Sequence, residues 1–346
     1  MPSPKLKNIL KQTTAFLSGA AHAVSSRPAR RIIGIFGSWW RAIAVFLALV
    51  MFLYYPLGGW LVEDINTDTA VEISPADENQ SATAEMMSYL IRSEVNDKIW
   101  TPNLPFFFPS YFLDNMPNFQ LGLMSGVSAL SKSMAARLEK NITLPEEHYL
   151  RMASELLQYP GTIWMFSPQN KLVPVPSAHS QYRKARKQLI KYNRKLNDGS
   201  LVFYRNPRDL AFFLRNISAG LHQTAVRLEE RIREESPSWL DTKADDIFYY
   251  GRGQAYADCM LLKALALDYK KILVDSGVYP DWTRMLKALE NAAQMSPSIV
   301  RNGEIDSSFA PNHLTAQGFY LLKARSLMQK ISRNLEKNVS PHKDSL

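Results

Sequence analysis

Residues 42 to 62, AIAVFLALVMFLYYPLGGWLV, are 21 consecutive uncharged and mostly apolar positions. At 1.5 Å per residue they make about 31 Å of helix, enough to cross a hydrocarbon core about 30 Å thick. Trp39 and Trp40 stand at one end and Tyr54, Tyr55 and Trp60 at the other, where amphipathic rings settle at headgroup level. Pro56, Gly58 and Gly59 loosen only the last turns. The run is expected to span a membrane. A cleaved signal peptide would want a shorter basic region, a shorter apolar core and a small-x-small site. Here 41 residues precede the run and LGGWLVEDI offers no good site, so the span is expected to be retained.

Charge orients it. The chain of 346 residues carries 41 basic and 32 acidic side chains, a net charge of +9. Lys5, Lys7, Lys11, Arg27, Arg30, Arg31 and Arg41 all precede the span, with no acid among them. The rest is left with 34 basic against 32 acidic residues. A nucleic-acid binder would carry its surplus as a phosphate-facing patch on the folded domain, so nucleic acid is not an expected partner. Arginines before the span and Glu63, Asp64 and Asp68 after it put the N-terminus in the cytoplasm and the remainder outside. Cys259 is the only cysteine, so an exported domain has no internal disulfide and depends on packing. The same count removes zinc ribbons and a lipid-attachment cysteine.

Beyond the polar stretch DINTDTAVEISPADENQ the pattern is helical. Leu123, Val127, Leu130, Met134 and Leu138 share one face of a helix over 123–138. Tyr182, Ala185, Leu189, Tyr192 and Leu196 alternate steps of three and four, as do Leu210, Leu214, Ile217, Leu221, Thr224 and Leu228. Between these two helices Asn206 is placed to cap and Pro207 to take the first helical position, and the pair is expected to form an antiparallel hairpin. A longer helix over 245–275 is apolar nearly all round its middle and is expected at the centre. Shorter helices are expected over 281–295 and 313–336, and GTIWMF and SIV could pair as short strands. The fold class is mainly α: one transmembrane helix, then a multi-helix, bundle-like domain with little or no sheet. The expected organisation is a basic, partly disordered cytoplasmic tail over 1–41, the span, a linker over 63–80, a helical periplasmic domain over 81–336 and a disordered tail over 337–346.

Three segments could carry chemistry. DDIFYYGRGQAYADC, residues 245–259, combines acids, tyrosines, an arginine and the cysteine. Asp245 and Asp246 fall in the first helical turn, where exposed amides and the helix dipole favour negative charge. Gly251 with Ala255, and Gly253 with Ala257, give small faces for a close neighbour. Tyr249, Arg252, Gln254, Tyr256 and Asp258 need partners if buried, which favours a structural hydrogen-bond network over a pocket. No basic residue is expected to adjoin Cys259 on its own face and lower its pKa, so it reads as inert core.

The second segment is WTPNLPFFFPSYFLDNMPNF, residues 100–119, whose four prolines forbid helix. Phe106, Phe107, Phe108, Tyr111 and Phe112 are expected to tuck under the domain, with partner or membrane contact as the alternatives. Third, Asn302 marks a turn, while Asn312 and His313 open the last helix, with Asn312 as a cap. His148, His179, His222 and His313 lack metal spacing, and no nucleophile elbow, zinc helix or phosphate loop occurs. No catalytic residue, metal or cofactor is expected. Arg183, Lys184, Arg186, Lys187 and Lys191 form the wet face of one helix, or attract anionic headgroups or an acidic partner.

YFLDNMPNFQLG, DDIFYYGRGQAYA and IVRNGEIDSSFAPNHLTAQGFYLLKAR together resemble a known family, domain of unknown function 2333 (DUF2333), over nearly all of residues 40 to 335. The resemblance implies a bacterial, single-pass inner-membrane protein with a periplasmic domain, and imports no chemistry. The expected function is a non-enzymatic envelope scaffold or accessory subunit, with the bilayer and a membrane or periplasmic protein as partners and self-association left open. The alternative is a periplasmic enzyme or lipid-binding protein with Asp246, Arg252, Asn302 and His313 around a pocket.

Overall fold

The computed structural model describes residues 27–73, 79–112, 114–139, 148–166, 173–234, 241–297, 299–302 and 312–337, with all their side chains except those of 27–38, 110 and 112. The tail over 1–26 and residues 338–346 therefore lie outside the described residues. The chain divides into two units after Gly58. The first holds most of helix α1, Arg27–Val62, which runs on through Pro56. Within α1, Trp39–Val62 has a mean hydropathy of 2.0 and is long and apolar enough to cross a membrane. The helix begins well before residue 42, so Arg30, Arg31 and Arg41 stand on it.

The second unit is built from nine further helices among the described residues: α2 Ala82–Arg92, α3 Asn115–Leu138, α4 Tyr149–Leu157, α5 Ala178–Asn197, α6 Pro207–Arg233, α7 Thr242–Asp268, α8 Lys270–Asp275, α9 Tyr279–Gln294 and α10 His313–Lys337. Helix α7 is central, as its apolar girth predicts, and touches α2, α3, α6, α9 and α10. Its closest crossing is with α3, and glycine sets the distance. A Cβ on Gly253 would sit 2.0 Å from the carbonyl oxygen of Phe119, and one on Gly122 2.0 Å from that of Tyr250. The two backbones meet at reciprocal glycines, which explains why α7 carries helix-weakening residues at all.

Several expectations are corrected. Helices α5 and α6 are not a hairpin pair: α5 packs on α2 and α4, whereas α6 packs chiefly on α10 and also on α3 and α7. Amphipathic spacing fixes which face is buried, but says nothing about the partner. The long helix ends at Asp268, because Tyr269 leaves helical geometry (φ −114°, ψ 20°) and α8 starts anew. Its cap is Asp241, whose carboxylate accepts from the Ala244 amide at 3.1 Å; Asp245 stands in the first turn as expected, and Asp246 follows it. Pro117 does not exclude helix: it stands in the first turn of α3, where its missing N–H would have no partner. GTIWMF does not pair with SIV; Phe166 bridges to Pro174, and no strand occurs among the described residues. Asn206 does cap α6, accepting from the Arg208 amide at 2.8 Å with Pro207 first in the helix.

Candidate functional site

The polar side chains of α7 point into the domain and toward the segment that follows α1. Residues 63–73 form a strap. Ile65, Val71 and Ile73 are half-buried against the core, and the backbone between them is held by side chains of α7. Tyr256 Oη donates to the Asp68 carbonyl at 3.3 Å and Lys263 Nζ to the Thr69 carbonyl at 2.7 Å. Arg252 Nη2 lies 3.4 Å from Thr67 Oγ1, while its Nε donates to the Ala293 carbonyl at 2.9 Å on α9. Its guanidinium stands 5.7 Å from the Tyr249 ring centroid. Thr69 Oγ1 donates to Glu290 at 2.7 Å. Tyr256 and Arg252, which look reactive in the sequence, thus bind the strap, and Arg252 also fastens α9.

The others go elsewhere. Gln254 accepts from Thr224 Oγ1 at 2.5 Å, tying α7 to α6. Asp258 is 1% exposed, its Oδ2 has no hydrogen-bond partner, and burial pushes its carboxyl well above the usual carboxylate range. A neutral acid there costs far less than a buried charge. The Cys259 thiol is fully buried and pushed up to about 12 by that burial, which outweighs Lys263 four residues on, a basic neighbour on its own face. Asp268, at the end of α7, caps α2: it accepts from the amides of Ala82 at 2.8 Å and Thr83 at 3.0 Å and from the hydroxyls of Ser81 and Thr83. Sequence reading missed Asp268, because its partners lie far away in the chain.

Asp245 stands among carboxylates. Burial, then the charges of Asp114, Asp246, Glu63 and Asp241, raise its pKa to about 7. Asp246 is raised by burial and Asp114, opposed by the Asn118 amide that donates to it at 2.6 Å. Asn302, Asn312 and His313 come together at a separate place. Asn312 Nδ2 donates to Asn302 Oδ1 at 3.2 Å, Asn302 Nδ2 to the Arg231 carbonyl at 2.8 Å, and the Asn312 carboxamide oxygen caps α10 at Thr315. His313 Nδ1 accepts the Arg301 amide at 3.1 Å, and burial with Arg301 lowers its pKa, so a neutral imidazole is fixed in one tautomer. Asp246 and Arg252 hydrogen-bond to other partners, Asn118, Ala293 and Thr67, and take no part in this cluster. Among the described residues no group of three His, Cys, Asp or Glu is placed to hold a metal.

The aromatic loop is not tucked away. Phe106 is 69% and Phe107 49% exposed, Tyr111 is exposed and Phe108 half-buried; the Phe112 side chain lies outside the described ones. Phe107 meets Phe106 edge-on at 5.6 Å, Phe108 tilted at 5.2 Å and Trp164 edge-on at 6.0 Å. With Pro105 and Pro109 among these rings, the loop forms only a short 3-10 turn, Pro109–Phe112. On α5, Lys184, Lys187 and Lys191 are exposed, Arg183 donates to the Val95 carbonyl at 3.1 Å, and Arg186 is half-buried. A groove between α6 and α10 was not anticipated: two depressions of about 370 and 450 Å3 share His222 and Arg325. Exposed Phe319 and Leu322, three apart beside Gly318, were its sequence signal.

Among the described residues, fold and site define a helical domain following one helix of membrane-spanning length, with Arg252, Tyr256, Gln254 and Asp268 engaged in holding elements together. The family model described as an uncharacterized protein conserved in bacteria (DUF2333) matches residues 37–236 and 230–337, and the chain belongs to that family. No curated protein and no solved structure matches the chain.

Proposed function

We propose that this is a single-pass protein of the bacterial inner membrane, with its N-terminus in the cytoplasm and its helical domain in the periplasm, acting as a non-enzymatic scaffold or accessory subunit of a membrane complex. The observation that carries the reading is the use of Arg252, Tyr256 and Lys263 to bind the strap: the most reactive-looking face of the domain fastens the chain that leaves α1. Support for the topology comes from the seven basic residues before the apolar run and the acids just after it. Crosslinking in intact membranes followed by mass spectrometry tests the scaffold role, and a chain recovered only as a free monomer defeats it. A carboxyl-terminal reporter active only in the cytosol defeats the topology.

A second reading, an enzyme or lipid-binding protein acting on envelope material, is favoured by Asp245, a carboxyl raised to about 7 as a general acid or base would need. Asp245→Asn decides it. Folded protein with a lost cellular phenotype supports catalysis, and folded protein with the phenotype intact supports the scaffold.

A further inference from the structure

The aromatic loop is rooted at the point where the chain emerges from α1. The last residue of that helix is Val62, and the next two are each held by one end of the loop. Lys98 Nζ donates to the Asp64 carbonyl at 2.7 Å, on the N-terminal side. Asn115 Nδ2 donates to Glu63 Oε1 at 3.1 Å, on the C-terminal side. The residues joining Lys98 to Asn115 are the loop itself. Neighbouring residues of an extended chain are about 3.5 Å apart, so both roots stand within a residue or two of where the apolar helix ends.

The roots are rigid. Gln120, fully buried in α3, accepts from the Thr101 amide at 2.9 Å and hydroxyl at 2.8 Å and donates to the Ile99 carbonyl at 3.0 Å. Trp100 Nε1 donates to the Gly161 carbonyl at 2.9 Å, and Asn103 Nδ2 to the Ile163 carbonyl at 2.8 Å. These last bonds join the loop to the 161–166 segment, where Met165 and Phe166 are also exposed. An apolar surface held open by buried hydrogen bonds is a built feature, and one that a water-facing monomer rarely keeps. Charge around the roots is mixed: Lys98 pairs with Glu94 and Asp64, Arg183 reaches the Val95 carbonyl, and Glu63 and Asp114 stand on the other side.

We infer that Phe106, Phe107 and Tyr111 seat in the surface of the bilayer that α1 crosses, giving the domain a second, aromatic attachment to the lipid. The inference rests on the membrane-spanning reading of α1. Rings of this kind bury at the headgroup and acyl boundary.

The test uses the full chain in vesicles of phosphatidylethanolamine and phosphatidylglycerol containing nitroxide-labelled acyl chains. An environment-sensitive fluorophore is attached in turn to Phe107→Cys, Tyr111→Cys, Phe52→Cys in α1 and Phe319→Cys on α10. Cys259 is fully buried with a thiol pushed up to about 12, so it stays unlabelled. The expected result is strong quenching at position 52 and, at 107 and 111, quenching at least about twice that at 319. Quenching at 52 with 107 and 111 no different from 319 overturns the loop attachment while the span stands, and leaves the rings to a protein partner or to water. An unquenched label at 52 removes the span and the inference with it.

Discussion

Helix α7 gathers, between Asp245 and Cys259, most of the reactive side-chain types the chain possesses and folds them inward. The loop from Leu104 to Tyr111 carries no titratable group but Tyr111 and leaves Phe106 and Phe107 open to their surroundings. Side-chain reactivity and availability are thus inverted between the two. In α7 Tyr256, Arg252 and Gln254 find partners on other elements and become fasteners, whereas Asp258 Oδ2 stays buried without one. In the loop Pro105 and Pro109 allow only one short 3-10 turn, and Phe106 and Phe107 stay exposed. What is left available is apolar area, which suits binding a surface better than catalysis.

The contrast breaks first at the glycines if it is wrong. Gly253→Ala or Gly122→Ala drives a Cβ into a carbonyl oxygen of the facing helix and should cost about 3 kcal/mol in chemical denaturation followed by helical circular dichroism. An unchanged midpoint would mean that α3 and α7 are not held at this distance. Next comes Asp268→Ala, which strips the amides of Ala82 and Thr83 of their acceptor inside the domain; a loss of about 2–3 kcal/mol is expected in the same assay. Arg252→Met keeps the apolar stem and removes the bonds to Ala293 and Thr67, for about 1 kcal/mol. Limited proteolysis should then cut within residues 63–73 while the helices stay protected; an uncut strap would deny α7 its fastening role.

A smaller effect belongs to Asp245. Its folded pKa of about 7 lies above the usual carboxylate value of 3.8, so the folded domain keeps a proton that the unfolded chain releases between about pH 4 and 7. The stabilisation is complete below that window and disappears as the pH rises through it. Asp245→Asn should flatten that part of a melting-temperature against pH curve, and an unaltered slope would show the carboxyl to be ordinary. Smallest of all, the double variant Phe106→Ser, Phe107→Ser should move stability by no more than about 0.5 kcal/mol, since little of either ring is packed in the core. A large loss would place the loop with α7, as structure.

Sequence reading reached those features that depend on neighbours a few residues away. The Asn206 and Pro207 start of α6, the Asn312 cap of α10 and the all-round burial of α7 are local patterns, and all are present in the structure. The pairing of α5 with α4, not α6, is beyond periodicity, because a buried stripe carries no address. The strap was illegible for another reason: its bonds are made largely by the carbonyls of Asp68 and Thr69, groups that every residue has. The open loop was misjudged because bulk and apolarity usually mean core, and only the buried Gln120, Trp100 and Asn103 bonds reveal how it is propped outward.

Asp268 also imposes an order on biosynthesis. The carboxylate that completes α2 is made 186 residues after the amide it receives, roughly 10–40 s later at ordinary bacterial and eukaryotic elongation speeds. Until then the amides of Ala82 and Thr83 lack their acceptor, although Ser81 already answers the Ala84 amide and α5, on which α2 also packs, has been made. The domain cannot close from its front as the ribosome advances; it waits for the second half of the message, and for that interval the young chain has to be kept from sticking to others.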